Sequence, residues 1–368
     1  MYLKNLLLTQ FKNYSQARLD LSPEVNCFVG NNGAGKTNLL DAIYYLSFTK
    51  SFFNTIDQQN ILHTQNFFSL EGEFIKGEID EKVRIAVQRG EKKSVKVNNN
   101  EHRKFSDHIG SYPAVIITPN DTMLIHEGGE ERRKFLDGMI AQTDKVYLND
   151  LLMYNRVLES RNKQLKLFAE MHFFDITLLE SLNEQLIRFG NSIYQKRQLF
   201  LDSFIPVFRK YYSDISSSHE KVDLIYVSHL QENRFEKLLD ENENADLAAQ
   251  RTTKGIHKDE LEFMIGDFSL KKFGSQGQQK SFIISLKLAQ YEYLKEKTSI
   301  KPLLLLDDIF EKLDEHRLNK LLSMIAHDAF GQIFITDTHY ERLKIVFDSM
   351  KSLQVKYFSV QNGLINEI

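Results

Sequence analysis

Cysteine is almost missing: the 368-residue chain has one, Cys27. No intramolecular disulfide is possible, and the residue sits in an apolar stretch where a small buried hydrophobe is expected rather than a reactive thiol. Long apolar runs are missing as well. The N-terminal "MYLKNLLLTQFKNY" is too short and too interrupted for a signal peptide or a membrane span, so a soluble, cytoplasmic chain in a reducing compartment is expected. Tryptophan is absent while phenylalanine is abundant, which bears little on function. An excess of either charge is missing too: 47 lysines and arginines nearly balance 50 aspartates and glutamates, for a formal net charge of -3. The chain as a whole therefore pulls weakly on DNA or anionic lipid, and any nucleic-acid site has to be a local basic surface or a groove completed by a second subunit. Repeats and low-complexity tracts are also lacking. What is present is apolar material for a substantial core, 42% of residues. The length suits one large α/β domain with an insertion, or two modest domains.

Along the chain, "YLKNLLLTQFKNYSQARLDLSPEVNCFVG" alternates like two or three strands with a turn near Lys12–Ser15. After a glycine-rich loop, Leu39, Leu40, Ile43, Tyr44 and Leu46 recur at helical spacing. Residues 67–102 read as a meander of short strands with turns at Gly77, Gly90 and Asn98–Asn100, and "AVIITPND" as a buried strand stopped by Pro119. From Thr122 to about Asn244 the chain is charged, helical in period and poor in glycine, with "DENENADLAAQ" as a solvated connector. Strands return in "DELEFMIGDFSLKKFG", turning at Gly266–Asp267. A helix over about Gln278–Lys297, the strand "PLLLLDD", a further helix, the strand "QIFITDT" and a hairpin turning at Asn362–Gly363 complete the chain. The insertion is too short for a long coiled-coil arm: about 125 residues folded back once reach at most roughly 90 Å at 1.5 Å per residue. It lacks a sustained heptad register and Pro206 interrupts its return path, so a compact helical lobe is expected.

The chemistry begins at Gly30-Asn31-Asn32-Gly33-Ala34-Gly35-Lys36-Thr37, with Asn38 continuing it. This is G-x-x-x-x-G-K-[ST] after a strand and before a helix, the setting of a phosphate-binding loop for a nucleotide. Glycines let backbone N–H groups converge on phosphates, and the helix N-terminus adds its dipole. Lys36 would reach the β- and γ-phosphates and the Thr37 hydroxyl would ligate Mg²⁺. Leu303–Leu306 form a buried strand that delivers Asp307 and Asp308 beside this loop. Asp307 would hold Mg²⁺ through water, and Asp308 is placed to orient or deprotonate an attacking water. In "FGSQGQQKSF", Ser275, Gly277 and Gln278 precede a long helix as a second phosphate-accepting N-terminus. One chain has one γ-phosphate site, already served by Gly30–Thr37, so the economical arrangement has this loop serve a partner subunit's nucleotide. In "ITDTH", His339 ends a strand, either touching the γ-phosphate or its water, or serving structure alone.

With these stretches in order, and Leu313-Asp314 matching a D-loop, the chain resembles the ATP-binding-cassette ATPases, and among them the RecF family of DNA repair and replication proteins, over nearly its whole length. The marks are "LLLTQFKNYSQ", "KSF" at Lys50–Phe52, "TPND…GGEERRKFLD" at Thr118–Asp137, "GIHKDELEFMI" at Gly255–Ile265 and "FGSQGQQKS". The resemblance implies an α/β ABC-type ATPase head, residues 1–121 and 246–368, with a mixed sheet and an antiparallel β subdomain. A mainly helical insertion lobe at 122–245 interrupts it. It further implies a homodimer enclosing two ATP molecules, binding to gapped DNA or single-strand/double-strand junctions, and cooperation with RecR and RecO in loading recombinase after DNA damage, as in the SOS response. ATP hydrolysis in the family is slow and acts as a release switch. Asp308 stands where most of the superfamily has glutamate, a shorter arm consistent with weak hydrolysis; the resemblance assigns no glutamine-loop residue, and Pro119–Asp121 lies where the insertion begins.

DNA contacts are expected from Arg132 and Arg133, and from Arg156, Arg161, Lys163 and Lys166 along one helix face. Each has a plainer reading as solvated helix surface, and Arg132 and Arg133 could equally pair with Glu130 or Asp137. Three other functions fit less well. A chromosome-structure-type mechanical head would need long heptad arms. A transporter ATPase subunit would have a short subdomain between phosphate loop and signature and no "FKNY". A nuclease-coupled ATPase would need an acidic metal-binding domain after the cassette.

Overall fold

The computed structural model of the chain describes residues 1–171, 174–216, 220–309, 315–326, 330–350 and 353–368. The expected D-loop pair Leu313-Asp314 lies outside them. Three strands open the chain, β1 (Tyr2–Phe11), β2 (Tyr14–Asp20) and β3 (Val25–Val29), and helix α1 (Lys36–Phe48) follows the glycine loop. The meander supplies β4 (Phe67–Lys76), β5 (Ile79–Gln88), β6 (Ser94–Val97) and β7 (Asn100–Glu101), before β8 (Ala114–Ile117). Helices α2 (Met123–His126), α3 (Gly129–Thr143), α4 (Lys145–Met171) and α5 (Ile176–Ile215) come next. They lead to β9 (Val222–Val227), α6 (Phe235–Glu241), α7 (Glu243–Ala249), β10 (Glu260–Ile265), β11 (Phe268–Ser269) and α8 (Leu270–Phe273). The remainder is α9 (Gln276–Thr298), β12 (Leu303–Leu306), α10 (Glu315–Ala326), β13 (Ile333–Asp337), α11 (Tyr340–Asp348), β14 (Val355–Gln361) and β15 (Leu364–Glu367).

Two compact units emerge: residues 1–121, 211–217 and 280–368 form the first, residues 122–210 and 218–279 the second. The division falls inside α5 and α9.

In the first unit an antiparallel sheet runs β2-β1-β4-β5-β6-β7 and a second sheet runs β15-β14-β3-β13-β12-β8, parallel except for β15 at its edge. The leucine run of β12 shows why the second sheet needs two covers. Successive strand residues point to opposite faces, so Leu303 and Leu305 join α1 residues Leu39, Ile43 and Leu46 and the apolar face of β1 and β4 in one core. Leu304 and Leu306 join Ile284, Leu288 and Leu294 of α9 in another. Gln332, 1% exposed, ties the two sheets: its Nε2 donates to the carbonyls of Leu3 and Ser22, and its Oε1 accepts from Leu3 N–H at 2.7 Å.

The second unit is mainly helical but carries an antiparallel sheet in the order β11-β10-β9. Strand β9 lies in the segment expected to be largely helical, where no strand was foreseen. Its six residues pair from Val222↔Ile265 to Val227↔Glu260, and the alternation of "VDLIYV" is too short to stand out against long helical neighbours. Pro206 does not interrupt the return path as expected, since α5 continues through it. A proline costs the helix one backbone hydrogen bond, and the buried Phe200, Leu201, Phe204 and Phe208 offset that loss. The expected solvated connector "DENENADLAAQ" is instead helical and holds Asp246, wholly buried, which accepts from Arg161, Thr253 N–H and the Thr253 hydroxyl.

His257 shows how this unit responds to pH. Tyr154 OH donates to its Nδ1 at 2.8 Å and its Nε2 donates to the Thr252 carbonyl at 3.1 Å, an arrangement that suits the neutral ring. Burial, with Lys258 and Arg133 nearby, brings its pKa down to about 4 from 6.5 against the pull of the Thr252 bond. Between those values the unfolded chain takes up a proton that the folded state refuses. Stability is therefore full above about 6.5 and is lost as pH falls toward 4, by at most about 1.4 kcal/mol per pH unit. Urea unfolding at pH 7 and 4.5, followed by a probe placed in this unit, is expected to show a smaller acid loss for His257→Gln than for wild type. Equal losses would remove this histidine as the cause.

Candidate nucleotide-binding site

The loop after β3 is shaped by two close approaches. A side chain at Gly30 would collide with the Val360 carbonyl of β14. Gly35 has φ +113, and a Cβ there would strike Asn13 Nδ2 and lie 2.8 Å from Tyr14 OH. Asn13 lies in the β1–β2 turn and Tyr14 opens β2, so "FKNY" braces the phosphate loop from outside. Asn13 Nδ2 donates to the Ala34 carbonyl at 3.2 Å, Tyr14 OH to the Gly35 carbonyl at 3.0 Å, and Asn38 Nδ2 to Asn13 Oδ1 at 2.8 Å. Asn38 thus faces the turn.

Among the described residues no side chain caps the N-terminus of α1, whose N-cap is Gly35. Its first amides are left for an anion, and the helix dipole favours one there. Lys36, 4% exposed, donates through Nζ to the carbonyls of Gly30 at 2.8 Å and Asn31 at 3.1 Å. An ammonium has three donors, so a third remains for a phosphate oxygen. These features fit the triphosphate of a nucleotide.

The residues expected to hold Mg²⁺ are brought together. Thr37 Oγ1 donates to Asp307 Oδ1 at 2.9 Å, and Thr336 Oγ1 donates to the same oxygen at 2.9 Å. Burial pushes the Asp307 carboxyl above the usual range, while the Thr336 and Thr37 bonds pull it back. A cation would restore the charged form, so a hydroxyl and a carboxylate at this point suit a hard divalent ion. Asp308 has φ +44 and its N–H donates to Thr336 Oγ1 at 2.8 Å. Thr336 therefore aligns both aspartates, a role that the sequence reading of "ITDT" missed. His339 is the N-cap of α11. Its N–H donates to Asp337 Oδ1 at 2.7 Å, Asp337 is clamped by Arg342, and the imidazole is exposed.

Asp41 is the other residue that sequence reasoning missed. Wholly buried on α1, it accepts from Ser51 Oγ at 2.6 Å and Phe52 N–H at 2.7 Å, and pairs with Lys12 Nζ at 2.5 Å. The "KSF" stretch and the β1–β2 turn are thus anchored on the phosphate-loop helix. Where the insertion begins, Asp121 is buried and pairs with Lys287 of α9 at 2.7 Å.

In the second unit, the Ser275 N–H donates to Gln278 Oε1 at 2.6 Å and the Gln278 N–H donates to Ser275 Oγ at 3.3 Å. Gln278 Nε2 also donates to Glu220 at 2.6 Å, and Ser275 is exposed at the start of α9 beside Gly277.

The cations expected to contact DNA divide. Arg161 is corrected: it is wholly buried, bonded to Asp246 at 2.7 Å, Asn183 and Thr252, and its guanidinium does not reach solvent. Arg132 forks onto Glu260, with further bonds to the carbonyls of Leu124 and Glu127, and Arg133 donates to the Asp259 carbonyl. Apart from the Leu124 and Glu127 carbonyls their partners lie in "GIHKDEL", and the hydrogen bonds go to neither Glu130 nor Asp137. Lys163 is exposed and pairs with Glu159 at 2.7 Å, while Arg156 and Lys166 are exposed. The two sequence marks "GGEERRKFLD" and "GIHKDEL" thus meet in space, and Arg197 joins them again by bonding both Asp137 and Asp259.

Comparison with known proteins agrees with this geometry. The profile described as RecF/RecN/SMC N terminal domain matches residues 2–364. The DNA replication and repair protein RecF of Flavobacterium johnsoniae is 50% identical over 349 residues, 95% of this chain and 97% of that protein. Its namesake in Bacteroides thetaiotaomicron is 44% identical over 370 residues, 100% of this chain and 99% of that protein. A solved structure of the recombination mediator protein RecF-ATP in the RecFOR pathway is similar with a TM-score of 0.90 and 30% identity, covering 100% of this chain and 97% of that one. An Smc head domain derived from Pyrococcus furiosus shares the fold at a TM-score of 0.56 and 16% identity. The fold is an ABC-type ATPase head with a mainly helical insertion, and the chain belongs to the RecF family.

Proposed function

We propose that this protein is an ATP-switched DNA-binding protein of repair and replication. Mg-ATP at Gly30–Asn38 joins two copies, each lending Ser275, Gly277 and Gln278 to its partner's nucleotide. The dimer closes on gapped or junction DNA, where it works with RecR- and RecO-type mediators to load recombinase, in the cytoplasm. Among the described residues no helix is long and apolar enough to cross a membrane. The observation that carries this reading is the uncapped phosphate loop with Thr37 and Asp307 in hydrogen-bond contact, in a chain similar to RecF-ATP over its whole length.

Bound Mg²⁺ would supply charge neutralisation at the phosphates. The chain's own residues do the rest. Lys36 and the α1 amides hold the phosphates, and Thr37 and Asp307 hold the ion. Asp308 orients or deprotonates water, with His339 as the second candidate for that place. Hydrolysis is slow and reopens the dimer.

Light scattering tests this. Wild type is expected to double its mass with Mg-ATP and to bind gapped DNA more tightly as the dimer. Ser275→Arg, which leaves the chain's own phosphate loop intact, is expected to bind ATP by calorimetry yet stay monomeric. Wild type that saturates with ATP and remains a monomer would sink the clamp.

A further inference from the structure

The proposed function requires a surface for DNA, and the α3–α4 cations are largely committed to protein carboxylates and carbonyls. We propose that the sugar–phosphate backbone of DNA lies on one end of the antiparallel sheet in the first unit, gripped by Arg89, Lys92, Arg103 and Lys104. This rests on the DNA-binding reading above and assigns it a place.

Topology gathers these residues. The β5–β6 turn spans 89–93, and β7 runs back antiparallel to β6, so 102–107 emerge at the same end. The segment entering β4, residues 54–66, closes the group, with the Arg89 N–H donating to the Asn66 carbonyl at 2.9 Å. Lys93 cross-links the pieces: Nζ donates to Asp57 Oδ2 and to the Thr49 carbonyl, both at 2.7 Å, and lies 5.0 Å from the centre of the Phe105 ring.

Charge and shape agree at this end. Segments 49–66, 88–93 and 102–107 hold six lysines and arginines against Asp57, Glu91 and Asp107, in a chain whose net charge is -3. Asp57 is already spent on Lys93. Arg89, Lys92, Arg103 and Lys104 are all exposed, and among the described residues none of the four makes an ion pair. Beside them is a groove of about 640 Å³ lined by Lys12, Asn54, Gln58, Gln59, His63 and Arg89. Side-chain amides with a basic rim suit phosphate and sugar oxygens, which position a strand without reading its sequence. Phe53 and Phe105, 37% and 40% exposed, offer ring surface on which unpaired bases can stack.

Fluorescence anisotropy with labelled single-stranded, duplex and gapped DNA, in Mg-ATP over a salt series, tests the assignment. Neutral replacements avoid the repulsion that charge reversal would add. The combined variant Arg89→Gln, Lys92→Gln, Arg103→Gln, Lys104→Gln is expected to weaken binding by about tenfold or more. Its log–log salt slope is expected to flatten by about 3 on duplex, somewhat under one per lost phosphate contact. Loss confined to the single strand, deepened by Phe105→Ala, identifies unpaired DNA as the occupant, and loss on duplex identifies the double helix. Arg156→Gln, Lys163→Gln, Lys166→Gln is expected to stay within twofold of wild type. The site is overturned if the four-fold variant melts normally, binds ATP normally and keeps wild-type affinity and slope. If wild type binds none of the three DNAs, the functional reading falls and the site with it.

Discussion

Lys36→Ala is expected to weaken Mg-ATP binding by roughly 10- to 150-fold, the worth of one hydrogen bond to a charged group at about 1.5–3 kcal/mol. The expectation comes from how the ammonium is spent. Two of its donors hold the carbonyls of Gly30 and Asn31, which keeps the loop open as a cradle, and the third remains for phosphate. Alanine removes the phosphate contact and releases both carbonyls at once. Lys36→Arg is expected to fail as well, because a planar fork does not satisfy two loop carbonyls and a phosphate from one point. Calorimetric titration reads the effect directly. Affinity within twofold of wild type in Lys36→Ala would mean that the nucleotide is held elsewhere.

Arg197→Ala is expected to cost the second unit about 3–5 kcal/mol, the range for breaking a buried ion pair by removing one partner. Arg197 is 1% exposed and serves two carboxylates, Asp137 and Asp259, each at 2.8 Å. Its Nη1 also reaches the Ile256 carbonyl at 3.0 Å, and its Nε reaches Tyr147 OH at 3.1 Å. Tyr147 and Tyr226 donate their hydroxyls to Asp137 and Asp259 respectively, so the whole cluster depends on one cation. Arg197→Lys keeps the charge but loses the fork and is expected to recover only part of the loss. With two compact units a single unfolding midpoint is poorly defined. Hydrogen exchange of the α3 and β10 amides is the suitable readout, and unchanged protection in Arg197→Ala would show that the cluster carries no such load.

The legible parts of the chain were those whose signal is local. The phosphate loop, the β12 leucine run with its two aspartates, and the closing hairpin at Asn362–Gly363 each carry their geometry in a few adjacent residues. Asn362 and Gly363 have φ +48 and +80, as a two-residue hairpin turn requires. Strand β9 and the buried Asp246 were illegible for the opposite reason. The first is stabilised by pairing with β10, nearly forty residues away. The second is an acidic residue whose burial depends on Arg161, 85 positions earlier. Arg161 itself read as surface because its spacing with Arg156, Lys163 and Lys166 is helical, and periodicity does not say which stripe of a charged helix turns inward.

Sequence alone determined the order of elements in the ATPase head, the phosphate loop, the identity of Asp307 and Asp308, and the family resemblance, since these rest on short-range spacing and residue chemistry. Tertiary structure decided which charges are spent and which are available. It sent Arg132, Arg161 and Arg197 to carboxylates of the protein itself, set Asp41 under the "KSF" stretch and put Thr336 between the two aspartates. It also left Arg89, Lys92, Arg103 and Lys104 exposed together at one sheet end. The physical reason is that a charge's role depends on its distance to partners remote in sequence and on its access to water, and only the folded chain sets both.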